Sequence, residues 1–343
     1  MGSLTQTTKR APALFVSHGA GPFAILGAPH QQPLVELCKE TRWVLDGAKG
    51  IIIVTAHWET DQPHISSGTE PEIYYDYFDD LAKDLPKEAW EIKYPGAKGD
   101  PELARKIKEK LDKDGFEAVL DDKRGWDHGV WVPMILLRPE ADLPIVQVSI
   151  PSGADAATEK SLKLGRSLEA FRDEGYVILG SGSSYHNFAA VIDSIMGVPG
   201  APPVPSNRPF EDAMEEVAKI SDADEKCKKM ARWREEFPNS EAVQPVGSSE
   251  HFMPFLVNIG SAGDDVGQKL GEWELFGTIM TSYPRDQEVS RLHGHVTLAV
   301  VTRLGNLADC DLTFAFGSAT LELLSPDELQ AIRATDLIDF QQH

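Results

Sequence analysis

Five of the ten histidines in this 343-residue chain sit where an apolar, strand-like run ends in small or turn-forming residues, a placement that requires a fold in which several strand ends meet. The runs are Ala13-Leu14-Phe15-Val16-Ser17-His18-Gly19, Ile51-Ile52-Ile53-Val54-Thr55-Ala56-His57-Trp58, Trp126-Asp127-His128-Gly129, Ser183-Ser184-Tyr185-His186-Asn187 and Ser248-Ser249-Glu250-His251-Phe252. In an open α/β sheet, ligands bind outside the carboxyl ends of the strands, so side chains placed there converge on one crevice. Imidazoles gathered in a crevice point to a metal and to proton transfer.

The strands themselves read as buried. Ile51-Ile52-Ile53-Val54 is apolar on both faces, the pattern of a parallel strand covered by helices, although periodicity alone does not separate it from a buried helix. Ala11 to Ser17, Gly50 to Ala56, Pro144 to Ile150 and Tyr176 to Leu179 are the expected strands. Asp100-Pro101 supplies a helix N-cap with proline at the first position, and Gly115 closes that helix. A second helix runs from about Ala156 to Arg172 and stops at Gly175. Alternation of this kind predicts an α/β fold: a single domain with a central mostly parallel or mixed sheet flanked by helices. Gly197 to Pro209 reads as a loop and Arg208 to Phe237 as charged, mostly helical surface. The expected organisation is a polar leader over residues 1–10, a catalytic domain over 11–285 and a C-terminal extension of unknown role over 286–343. In the extension, Val296 to Val301 and Leu312 to Phe316 look like strands, and Ser325-Pro326-Asp327-Glu328 is a capping box.

The formal charge of −21 repels phosphate backbones and anionic membranes, so neither nucleic acid nor a membrane is an expected partner. Three widely separated cysteines make neither a disulfide framework nor a cysteine-rich zinc site. With no apolar signal core near Met1 and no run of membrane-span length, the expected location is cytoplasmic.

Each histidine has an ordinary alternative. His18 precedes Gly19-Ala20-Gly21-Pro22, either a close approach for a ligand or a plain strand-to-loop turn. His57 ends the most buried-looking strand, where its polar atoms need a metal or a neighbouring carbonyl. Trp58 beside it either walls a pocket or packs in the core. For His128, adjacent Asp127 would raise the imidazole pKa and Trp126 and Trp131 would dry the surroundings, suiting a general acid or hydrogen-bond donor. His186 follows the glycine-serine turn Gly180-Ser181-Gly182-Ser183-Ser184, which lacks both a P-loop lysine and a G-x-S-x-G elbow. At Glu250-His251 either residue is a metal ligand, depending on local geometry. His293 and His295 form an H-x-H pair able to chelate zinc from one strand face, with no third ligand in view; His30, His64 and His343 are unassigned.

Taken together the motifs resemble the class III extradiol ring-cleaving dioxygenases of the LigB-like superfamily, in particular the 4,5-DOPA dioxygenase group. The matching stretches are Pro12 to Gly19, Val54 to Trp58, Tyr94-Pro95-Gly96, Trp126 to Trp131, Gln147 to Ile150, Gly180 to Asn187, Glu250 to Pro254 and Gly277 to Met280, in order across residues 11–285. The resemblance implies that His18, His57 and His251 bind a divalent metal, with His186 acting on substrate or oxygen and His128 donating to the substrate. It implies Fe(II) for catalysis, with Zn(II) accommodated in the same pocket, and a small aromatic diol and O2 as partners. A protonated His186 would stabilise negative charge developing on oxygen and aid O–O cleavage. The third ligand is histidine where other class III enzymes carry glutamate, which leaves iron and zinc both open. A zinc hydrolase on the same three histidines and a non-catalytic binding protein of this fold are the competing expectations.

Overall fold

The computed structural model describes residues 10–77, 83, 85–187, 189–191, 204, 206–275 and 277–285. Eight strands form one mixed sheet: β1 (Ala13–Ser17), β2 (Gly50–Thr60), β3 (His64–Ser66), β4 (Val119–Asp121), β5 (Ile145–Pro151), β6 (Tyr176–Gly182), β7 (Gly271–Leu275) and β8 (Thr278–Arg285), in the order β4-β3-β5-β2-β6-β1-β8-β7. The four central strands β5, β2, β6 and β1 are parallel. Antiparallel pairings join β3 to β5, β8 to β1 and β7 to β8. The expected mixed α/β sheet is what the chain adopts.

Ile51 to Val54 are fully buried, as a strand with helices on a crowded sheet requires. The His128–Leu137 helix packs on β2 and β6, and the Met253–Ala262 helix packs on β1, β2, β6 and the Thr158–Leu168 helix. Asp100 caps the Pro101–Lys113 helix by accepting from the Leu103 amide at 2.9 Å, as its position before proline predicts.

Two boundaries differ from expectation in ways that shape the site. β2 continues to Thr60 through an irregularity: between Thr55 and Glu59 it advances four residues while β5 advances only from Ser149 to Ile150. Ala56, His57 and Trp58 occupy that excess, and a bulge of this kind bends a strand and re-aims its side chains. β6 also runs on, through Gly180-Ser181-Gly182, instead of breaking into a turn. Glycine there serves proximity: a Cβ on Gly182 would lie 2.1 Å from the carbonyl oxygen of His251.

The Arg208–Phe237 segment is helical, over Arg208–Ala218, Ala223–Met230 and Trp233–Glu236, but it is not merely surface. Phe210, Met214, Met230 and Trp233 are buried, and the Lys226 ammonium donates to the carbonyls of Gly263 and Asp265. The strands and capping box expected beyond Asp286 lie outside the described residues.

Candidate metal centre

Parallel pairing delivers three histidine-bearing segments to one place. Ser17 of β1 is opposite Gly182 of β6, and Thr55 of β2 is opposite Ser181, so the carboxyl ends of these strands are level. His18 follows β1 directly and its amide donates to the Gly182 carbonyl at 3.1 Å. His251 belongs to the short turn Glu250–Phe252, held against the same strand end by the Ser183 amide donating to its carbonyl at 2.9 Å. His57 reaches the cluster from the irregular end of β2.

The His18, His57 and His251 rings lie 4.8–5.3 Å apart between centroids, and one ring nitrogen from each lies within 4.8 Å of the others. The Nε2 atoms of His18 and His57 face each other at 3.1 Å. Nitrogen–metal bonds of about 2 Å put two ligands of a tetrahedral ion roughly 3.3 Å apart. The opposite edges of two rings are taken: the Ser181 hydroxyl donates to the Gly129 carbonyl at 2.5 Å and sits 3.0 Å from His18 Nδ1, while Glu250 Oε1 sits 2.9 Å from His251 Nδ1. An imidazole whose Nδ1–H is held in this way presents a lone pair at Nε2.

Burial, followed by the mutual repulsion of neighbouring imidazoles, holds the pKa values of His18, His57 and His251 well below the ordinary histidine value. They are therefore neutral at physiological pH, the form that ligates. Three neutral nitrogen donors suit zinc or a non-haem first-row metal, not the oxygen-seeking calcium or magnesium.

His128 stands beside this trio, its ring 3.8 Å from that of His57. The adjacent acid makes no hydrogen bond to its ring. Asp127 Oδ2 accepts instead from Thr55 Oγ1 at 3.2 Å, Arg124 at 2.9 Å and Gln147 Nε2 at 2.5 Å, because the backbone turn into the helix points it into the sheet. The carboxylate that does is Asp76: Oδ1 accepts from the His128 amide and Oδ2 is 2.9 Å from His128 Nδ1. Burial pushes the Asp76 pKa up, but the hydrogen bonds and charge of His128 outweigh it and the net shift is downward. Sequence reasoning missed Asp76; its one signal was a carboxylate set among Tyr74, Tyr75 and Tyr77. Trp126 and Trp131 are both buried, and the Trp131 ring lies 6.5 Å from that of His128. Trp58 is also buried, with the Arg124 guanidinium 5.1 Å from its ring.

His186 stacks on His251 with ring centroids 3.5 Å apart and planes 16° apart. Its Nδ1 is 3.3 Å from Glu250 Oε1, so this carboxylate lies at the Nδ1 edges of both rings. At Glu250-His251 both residues stand in groups that could hold a metal: His251 with His18 and His57, and Glu250 with His186 and His251. Burial pushes the His186 pKa down to about 4. Expected as a protonated group, His186 is neutral at rest at physiological pH.

Other expectations fall elsewhere. Gly19, read as space for a ligand, has a φ of +78° and passes against Gln31 and Leu34, so it serves the turn. His30 lies near Phe23, and His64 lies on β3 near Trp58. His293, His295 and His343 lie outside the described residues. Among the described residues no helix is long and apolar enough to cross a membrane.

The level strand ends bring a cluster of imidazoles together, a set of donors that could hold a metal ion at the edge of an α/β sheet. A family model described as the catalytic LigB subunit of aromatic ring-opening dioxygenase matches residues 12–282. The chain belongs to this LigB family of class III extradiol dioxygenases. It is 35% identical over 266 residues to dioxygenase tasH of Hapsidospora irregularis, covering 74% of this chain and 79% of that protein. To the 4,5-DOPA dioxygenase extradiol of Beta vulgaris it is 32% identical over 271 residues, 78% of this chain and 92% of the relative. The crystal structure of an uncharacterized protein from Escherichia coli K12 superposes with a TM-score of 0.58 at 26% identity, covering 80% of this chain and 99% of the other.

Proposed function

We propose that this chain is a non-haem extradiol dioxygenase that opens the ring of a small, DOPA-like or other catechol with O2, giving a ring-opened semialdehyde acid. His18, His57 and His251 hold the metal, Fe(II) for catalysis, and Zn(II) fits the same donors. The observation that carries this reading is the meeting of three neutral imidazoles, two buried and one partly buried, two of them held at Nδ1 by neighbouring side chains, beside two further histidines. When bound, Fe(II) supplies a shared attachment for the catechol oxygens and dioxygen and a route for electrons between them.

His128, expected as a donor to the substrate, instead takes a catechol hydroxyl proton at Nε2, because Asp76 at 2.9 Å holds its Nδ1–H and stabilises the imidazolium. His186 begins neutral and takes up a proton as negative charge develops on oxygen, supported by Glu250 at 3.3 Å. Residues 11–285 form the catalytic unit, and the extension over 286–343 takes no part in this assignment. Cys38 and Cys227, buried and free of disulfides, fit a cytoplasmic setting.

The test is anaerobic loading with Fe(II), addition of a catechol panel that includes L-DOPA, and exposure to O2. A yellow product with one O2 consumed per catechol is the expected result. Ester or amide hydrolysis by the zinc-loaded protein, with every catechol untouched, would establish the hydrolase instead.

A further inference from the structure

A single carboxylate governs the orientation of His128 from a segment far away in sequence. Asp76 makes two bonds to that one residue: Oδ1 accepts from the backbone amide at 2.9 Å and Oδ2 lies 2.9 Å from Nδ1. The first of these also satisfies an amide at the start of the His128–Leu137 helix, where Asp127 makes no side-chain cap. Asp76 Oδ2 is further, 3.7 Å, from Nδ1 of His57.

The segment carrying Asp76 is pinned on both sides. The Trp126 amide donates to the Glu72 carbonyl at 2.8 Å and the Tyr74 amide to the Trp126 carbonyl at 2.7 Å, tying the strand of chain before Asp76 to the residues just before His128. Flanking Asp76, the Tyr75 and Tyr77 hydroxyls donate to the carbonyls of Ile92 and Ala89, each at 2.8 Å. A carboxylate placed by so many bonds is built to hold a ring in one orientation.

We propose that Asp76 is the positioning residue of the ring-opening reaction: it fixes His128 as the Nδ1–H tautomer and turns the ring so that Nε2 is the atom offered to the substrate hydroxyl. The inference rests on the dioxygenase reading of the site. The proton leaving the substrate arrives at Nε2 of His128, whose Nδ1–H stays on Asp76; the carboxylate accepts no proton itself. Asp76 therefore acts through His128.

The critical variant is Asp76→Asn. The His128 amide is an obligatory donor, so the Asn carbonyl oxygen takes it, and the Asn NH2 then faces His128 Nδ1 and forces the proton to Nε2. The cap and the packing survive, which separates this change from misfolding. In metal-free protein, 15N-edited imidazole spectra are expected to show His128 as the Nδ1–H tautomer natively and the Nε2–H tautomer in Asp76→Asn. In Fe(II)-loaded protein, kcat for a catechol is expected to fall about 10²-fold or more, the size of a lost general base, with KM changed by less than about threefold and metal content unchanged. Asp76→Glu, which retains the acceptor, is expected to restore part of kcat.

An unchanged His128 tautomer in Asp76→Asn would overturn the proposal. So would loss of bound metal in step with activity, which would make Asp76 a support of His57 or a ligand of a second ion. If native Fe(II)-loaded protein opens no catechol, the dioxygenase reading falls by itself. The tautomer measured without metal then still decides whether Asp76 sets His128.

Discussion

His18 and His57 point their Nε2 atoms at one another across 3.1 Å, although 39 residues separate them in the chain and both are held neutral by burial. Two lone pairs, or a lone pair and one shared proton, at that distance are stabilised most when a cation lies between them and His251. One divalent ion per chain is therefore expected after reconstitution and desalting. Either His18→Ala or His251→Ala should lower the bound fraction at least tenfold at micromolar metal. Elemental analysis measures it, and full occupancy in both variants would remove the proposed centre.

Ligand binding to the folded chain alone also raises its stability. At metal one hundred times the dissociation constant the gain is about 2.7 kcal/mol. Chelation should lower Tm by several degrees, reversibly on adding Zn(II). Identical melting with and without metal would show that no ion joins these three segments.

Ser181 holds His18 by its hydroxyl, which is itself oriented by the Gly129 carbonyl. Ser181→Ala removes that bond while leaving the ring in place. Losing a partner of this kind weakens metal binding roughly 10- to 100-fold. A competitive titration against a chromophoric chelator would read the change, and native affinity in the variant would mean that packing alone orients His18.

Gly182 admits the backbone of His251, and Gly180 that of Pro254, whose oxygen would be 2.5 Å from an added Cβ. Neither obstacle is a flexible side-chain tip. Gly182→Ala must push the Glu250–Phe252 turn away, costing on the order of 2–3 kcal/mol as overpacking and displacing His251. Urea unfolding and metal titration should both register it; native values in both would contradict the close approach.

Glu211 carries a different pH dependence. Burial, only partly relieved by the nearby Thr281 and Ser184 hydroxyls, pushes its pKa up to about 7, and Asn207 Nδ2 donates to its Oε1 at 2.9 Å. The folded chain thus keeps a proton that the unfolded glutamate releases near 4.5. Its stability is highest below 4.5, falls as pH rises toward about 7, and stays low above that, by roughly 3 kcal/mol. Glu211→Gln should gain on the native chain by about that amount between pH 4.5 and pH 8 in denaturant melts. Parallel curves for the two proteins would refute the assignment.

The sequence by itself determined the central strands and the histidines at their ends, because burial on both faces leaves a local mark: unbroken apolar runs such as Ile51 to Val54, closed by small residues. It likewise determined the Asp100 cap, a contact over three residues. Only the tertiary structure decided which histidines meet, and that His251 rather than Glu250 joins His18 and His57. It also decided that Gly180-Ser181-Gly182 is strand and that Asp76, not adjacent Asp127, holds His128. The reason is physical: these outcomes follow from strand register, from a three-residue excess in β2 and from contacts between segments as far apart in the chain as His18 and His251.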